Sequence, residues 1–145
     1  MSAPFIAKRP PPDFVLCTDR WTQPFWDAAR QHRLVAARCA SCGRFRMPPT
    51  PFCPNCRSQD IHWSTLRGEG VVYSYTVVSR AVLEGMDQHI PYVPAVVSLP
   101  DADGVRLISN VVDAPIDSIR VGSPVRVVWD QISPHVVVPR FTLIV

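Results

Sequence analysis

No stretch of this chain is apolar for the roughly 18 residues that a membrane-spanning helix needs. Its opening segment, MSAPFIAKRPPPDF, has no apolar core of signal-peptide length. The sequence therefore predicts a soluble, cytoplasmic protein without membrane contact. Charge is scarce as well, at 19% of residues against 47% hydrophobic, a balance that excludes a disordered chain. The glycine signatures of nucleotide and hydrolase sites are missing: there is no G-x-G-x-x-G, no G-x-x-x-x-G-K-S/T and no G-x-S-x-G. None of the four histidines has a glutamate two residues later, which removes the zinc-deaminase signature. His32, His62, His89 and His135 are scattered, and Asp101, Asp103, Asp113 and Asp117 read as turn residues. No catalytic constellation emerges, and that favours binding or scaffolding over chemistry.

Proline, in contrast, is abundant, with 16 residues in 145, about twice the usual share. Proline suits neither helix interiors nor central strands, so the excess predicts short strands and fixed turns. The net charge of +3 helps an anionic ligand approach without identifying one.

Cysteine carries the strongest pattern. Two residues separate Cys39 from Cys42, two separate Cys53 from Cys56, and ten lie between the pairs. A two-residue spacing lets one tight turn direct both sulfurs at a single ion, and two such knuckles supply a closed tetrahedron of thiolates, the usual structural zinc arrangement. Gly43 follows the first pair, where a positive φ is often required, and Pro54 stiffens the second. Arg44, Arg46 and Arg57 lie close enough in sequence to offset the charge of four thiolates around a dication. Iron also accepts this donor set, and a redox role would need iron and an electron partner. Four thiolates leave no open position for water, which argues against a catalytic metal. Cys17 stands apart and reads as a plain thiol.

Along the chain, residues 1–20 read as an extended Pro-rich arm. Pro10, Pro11 and Pro12 favour polyproline geometry, and Phe5, Phe14 and Trp21 suit docking on a partner. Residues 21–66 hold a helix over 22–33, with Thr22 as N-cap and Phe25, Ala28, Ala29 and His32 on one face, and then the cysteine ribbon, entered by a strand over 34–38 and left by one over 61–65. Residues 67–145 read as a five-stranded Greek-key barrel of the OB type. Its strands are predicted at 71–78, 92–99, 105–112, 125–129 and 141–145. A long polar loop covers 79–91, Asp101-Ala102-Asp103-Gly104 makes a hairpin turn, and Gly68-Glu69-Gly70 reads as a turn before the first barrel strand.

Zinc ribbons and OB barrels both occur in nucleic-acid proteins, which makes nucleic acid an alternative ligand. OB barrels grip single strands through aromatic platforms and a basic groove on strands two and three. Here those strands, YVPAVVSL and VRLISNVV, carry one aromatic residue, Tyr92, and one basic residue, Arg106. No stacking platform is visible, which leaves nucleic-acid binding as the weaker alternative.

Taken together, TQPFWDAA, LVAARCASCGRFRMPPTPFCPNC, GEGVVYSYTVV, PYVPAVVSL and VGSPVRVVW resemble the rubredoxin-like zinc-ribbon plus OB-fold proteins catalogued as domain of unknown function thirty-five. The likeness covers residues 20–145. It implies a mainly β fold, with an N-terminal helix, a rubredoxin-like zinc ribbon and a five-stranded OB barrel. It also implies a non-catalytic accessory subunit of a thiolase-superfamily acyl-CoA enzyme, an acyltransferase or steroid side-chain aldolase, or else of a hotdog-fold enoyl-CoA hydratase. Such a subunit helps to shape the CoA channel. If CoA passes nearby, Arg44, Arg46, Arg67 and Arg80 are the candidates for its phosphates, while Trp63 and Tyr92 are candidates for an apolar pantetheine path.

Overall fold

The computed structural model of the chain describes residues 5–11 and 15–145. The arm residues Pro12 and Phe14 singled out above lie outside the described residues. One α-helix, α1 (Gln23–Arg30), precedes a two-stranded antiparallel sheet of β1 (Val35–Cys39) and β2 (Ile61–Thr65). Five further strands follow: β3 (Glu69–Tyr75), β4 (Val93–Ser98), β5 (Arg106–Val111), β6 (Pro124–Ser133) and β7 (Val136–Leu143). They close into a barrel in the order β3-β4-β5-β7-β6, with β6 pairing back onto β3. All the barrel pairings are antiparallel except β5 with β7, which meet in parallel at the single pair Val111 and Phe141.

Alternation fills the barrel. Along β4, Val93, Ala95 and Val97 point inward and are buried, while Pro94, Val96 and Ser98 are only partly covered. Val72, Val111, Val125 and Phe141 complete the interior. The same core continues into Phe25 and Ala28 of α1, Val35 and Ala36 of β1, and the connecting Leu34 and Leu66. Ribbon strands and barrel thus share one hydrophobic cluster.

Four expectations need correction. The helix expected over 22–33 spans only Gln23–Arg30, and His32, expected on its face, lies beyond its end, exposed and with φ of +57°. The segment Gly68-Glu69-Gly70 is more than a turn, because Glu69 and Gly70 already pair with Arg126 and Val125 of β6. Gly70 is required by contact: a Cβ there would stand 2.4 Å from Val97 Cγ1 and 2.9 Å from the Ser98 carbonyl oxygen. The last two strands are much longer than 125–129 and 141–145, and form one hairpin in which Trp129 faces Pro139. Thr22 does not cap α1 through its side chain. Asp19 instead fixes the turn that leads into the helix: its Oδ1 accepts the backbone N–H of Trp21 and Thr22, each at 2.9 Å. Those bonds to the charged form, from Thr22 first, hold the Asp19 carboxyl below its ordinary pKa.

The described part of the arm docks on the chain's own barrel. Ala7 is buried, its N–H donates to the Ala114 carbonyl at 2.9 Å, and its own carbonyl accepts from Asp113 at 2.9 Å. Ile116 donates to the Phe5 carbonyl, and Lys8 donates to that of Pro91. Phe5 itself stays exposed, as does Val15. No described helix is long and apolar enough to cross a membrane.

Candidate metal centre

Strand β1 delivers Cys39 to the base of the first knuckle, where the chain turns back on itself. The Gly43 N–H donates to the Cys39 carbonyl at 2.9 Å, and the Cys39 N–H donates to that of Arg44 at 2.8 Å. The second knuckle repeats the pattern: Arg57 donates to the Cys53 carbonyl and Cys53 to that of Ser58, each at 2.8 Å. Gly43 and Arg57 occupy equivalent places, four residues after the first cysteine of each pair, with φ of +81° and +64°. The knuckles face each other through the hydroxyls of Ser41 and Ser58, 3.0 Å apart.

This frame brings all four predicted cysteines together. Their sulfurs lie within 4.8 Å of one another, with Cys39 to Cys56 at 3.5 Å and Cys42 to Cys53 at 3.6 Å. A tetrahedron with metal–sulfur bonds of about 2.3 Å has edges of about 3.8 Å, so the cage fits one ion. Cys39 and Cys53 are buried, whereas Cys42 and Cys56 are exposed. The sulfurs also differ in acidity. The Cys42 N–H, 3.5 Å from the Cys39 sulfur, leads the interactions that lower the Cys39 thiol to about 6. Cys42 is lowered too, first by the Asn55 side chain. At Cys56 the Ser58 N–H pulls downward, but the neighbouring thiols and burial prevail and push it up to about 11. Early thiolates form readily and a late one resists, which is the like-charge conflict that a bound cation relieves.

The arginines considered for CoA phosphates stand on three separate segments. Arg44 is exposed after the first knuckle, and Arg80 is exposed in the loop after β3. Arg67, between ribbon and barrel, pairs with Asp101 at 2.9 Å. Arg46 is buried, with its Nε donating to the Thr50 carbonyl at 3.0 Å; its guanidinium does not present itself to a phosphate on the surface. Trp63 packs against the shared core, and Tyr92 lines a groove. Arg106, the basic residue of the strand expected at 105–112, lies 3.9 Å over one face of the half-exposed Tyr73 ring, so that face is not open to a stacking base.

Two features were not read from the sequence. The first is an open apolar groove of about 620 Å³ where β5 and β7 part company, bordered by Trp26, Met86, Leu107, Ile108, Val138 and Arg140. The second is a charge cluster beneath the arm. Arg9 pairs with Asp113 and, at 3.8 Å, with Asp130. The buried Arg140 meets Asp130 at 3.4 Å, Asn110, and the Pro10 carbonyl at 2.8 Å. Desolvation, partly offset by Asp130, lowers the pKa of Arg140. Polar Asn110 inside the otherwise aliphatic strand expected at 105–112 is the available signal, whereas Asp130 and Arg140 fall just outside the strands expected at 125–129 and 141–145.

Comparison with known proteins agrees with this architecture. Residues 26–62 match the ChsH2 rubredoxin-like zinc ribbon domain, and residues 63–130 match the ChsH2 C-terminal OB-fold domain. A probable enoyl-CoA hydratase alpha subunit from Thermomonospora curvata is 42% identical over 120 residues, 81% of this chain but 36% of the relative. The chain therefore spans about a third of that relative's length. A DUF35 domain-containing scaffold protein from Methanothermobacter thermautotrophicus is 32% identical over 71% of this chain and 76% of its own. Among solved structures, a chain of an Ltp2-ChsH2(DUF35) aldolase superposes with a TM-score of 0.80 at 36% identity, covering 89% of this chain and 98% of that one. A DUF35-family protein of unknown function from Sulfolobus solfataricus shares the fold, with a TM-score of 0.62 at 19% identity over 88% of this chain and 87% of that one.

Proposed function

This chain belongs to the DUF35 family of zinc-ribbon and OB-fold proteins, and from that premise we propose that it is a non-catalytic accessory subunit. Its partner is a thiolase-superfamily acyl-CoA enzyme, an acyltransferase or a steroid side-chain aldolase, which it binds and supports. The observation that carries this reading is the match to nearly the full length of the ChsH2(DUF35) chain in an aldolase. The relative described as a scaffold protein supports the same role.

In this reading the four sulfurs hold a structural zinc. Four thiolates saturate a tetrahedral ion and leave no site for a reacting water. Iron fits the same donors and can replace zinc on recombinant expression. Where CoA runs beside the subunit, exposed Arg44 and Arg80 remain the candidates for its phosphates, Arg67 would first have to leave Asp101, and Tyr92 is the candidate for the apolar path.

A second reading has its own support. The relative named as an enoyl-CoA hydratase alpha subunit favours a hotdog-fold hydratase as partner. Affinity purification of the tagged chain from its native host separates the two. Co-purification of a thiolase-like enzyme whose turnover falls when this chain is removed is the expected result. A hydratase in its place supports the second reading, and a solitary monomer with its own turnover refutes both.

A further inference from the structure

We propose that the four-sulfur centre is a peroxide-responsive switch, in which oxidation joins the two knuckles by disulfides and expels the metal. The inference rests on the metal reading above and adds a regulation to it. Redox-sensing cysteines combine thiolate character, solvent access and an adjacent resolving cysteine. Metal binding supplies thiolates, and the structure supplies the other two conditions in duplicate. Cys42 and Cys56 are exposed, whereas Cys39 and Cys53 are each only 1% exposed. Within a cluster whose sulfurs all lie within 4.8 Å of one another, Cys42 meets Cys53 at 3.6 Å and Cys56 meets Cys39 at 3.5 Å, so each exposed sulfur touches a buried one on the opposite knuckle. Cys17 is exposed but lies outside the cluster.

The chemistry balances with a hydroperoxide as oxidant. The exposed Cys42 thiolate attacks one peroxide oxygen; an S–O bond forms, the O–O bond breaks and hydroxide leaves. The Cys53 thiolate then attacks the resulting sulfenic sulfur, the S–S bond forms and a second hydroxide departs. Two thiolates have lost two electrons, one peroxide has gained them, and two protons from solvent convert the hydroxides to water. Cys56 and Cys39 repeat the sequence with a second peroxide. Closing each contact to the disulfide length of about 2.05 Å requires a movement of about 1.5 Å. Each bridge removes two ligands, and the ion leaves.

The test uses the zinc-loaded full chain carrying Cys17→Ser, which removes the thiol outside the centre. Hydrogen peroxide is added in steps while a chromogenic chelator reads metal and thiols are titrated. The expected result is release of one metal per chain together with loss of all four thiols, reversed by dithiothreitol and zinc. Trypsin cuts after Arg38, Arg44, Arg46 and Arg57, which puts the first knuckle on CASCGR and the second on MPPTPFCPNCR. A non-reducing map should show these two peptides linked. Disulfides confined within each peptide, metal released with sulfinic acids and no disulfide, or metal retained while the thiols survive would each overturn the switch. A chain that holds no metal before peroxide is added overturns the centre and the switch together.

Discussion

Arg57 in the second knuckle does the backbone work that Gly43 does in the first, yet only one of them is glycine. Both have φ in the left-handed region, where a side chain costs about 1–2 kcal/mol relative to glycine. A Cβ on Gly43 would also stand 3.4 Å from the guanidinium of Arg38, which donates to the Gly43 carbonyl at 2.8 Å. The two positions should therefore respond in opposite directions. Gly43→Ala is expected to destabilise the ribbon by about 1 kcal/mol, while Arg57→Gly should leave it unchanged or raise it by up to about 1 kcal/mol. Thermal unfolding of the two metal-loaded variants beside the parent chain checks the signs. Equal losses in both would mean that the Arg57 side chain makes a contact outweighing its backbone strain.

At the scale of elements, the arm behaves as an added edge of the barrel, and Arg140 is its pin. Its guanidinium reaches the Pro10 carbonyl, Asn110 and Asp130 from a buried position on β7. Arg140→Met keeps the length of the side chain but leaves Asp130 with only the longer contact to Arg9. Removing one partner of a buried charge pair costs about 3–5 kcal/mol, and the contact that Asp130 keeps with Arg9 places this one at about 3 kcal/mol. The loss should concentrate in the arm. Amide exchange at Ala7 and Ile116, whose N–H groups bond across the arm-to-barrel seam, is expected to accelerate far more than exchange at Val97 in β4. Uniform acceleration across the barrel would show that Arg140 supports the fold as a whole instead.

The elements also show where sequence reading works. The cysteine spacing specified the whole metal cage, because ligand geometry leaves few other solutions for two x2 pairs. β-branched runs marked five barrel strands, since each has one face to bury. The far ends of β6 and β7 stayed hidden because Asp130, Gln131, Pro134 and Pro139 read as loop. The structure tolerates Pro139 because β7 meets β5 only at Phe141, which leaves the strand with an open edge beside Pro139, and the Pro139 carbonyl still accepts the Ser109 hydroxyl at 2.6 Å. The arm read as a partner-docking segment because nothing local in an extended Pro-rich stretch encodes its distant bonding partners. Thr22 and Asp19 are both good capping residues by type, and only the turn geometry, in which the Asp19 carboxylate already holds the Trp21 and Thr22 N–H groups, decides which side chain is used.

For the molecule as a whole, the question is whether ribbon and barrel unfold together. The ribbon alone has little core, and structural zinc supplies on the order of 10 kcal/mol to comparable peptides. That alone would predict an independent, metal-dependent unit. Yet Leu34, Val35 and Ala36 belong to the same buried cluster as Val97, Val111 and Phe141, and His32 stacks on Trp129 of β6 with ring centroids 5.7 Å apart. A displaced ribbon would uncover barrel-side surface, so its loss is felt beyond the knuckles. Cys53→Ser removes a buried ligand and is expected to abolish stoichiometric metal binding, cause the ribbon to be lost and lower solubility. Calorimetry on the fraction that stays in solution should then show one transition, shifted to lower temperature. The parent chain treated with a strong chelator should behave alike. Two separated transitions, with the second at the temperature of the parent, would mean that the shared cluster does not couple the modules, and that the barrel stands without the metal.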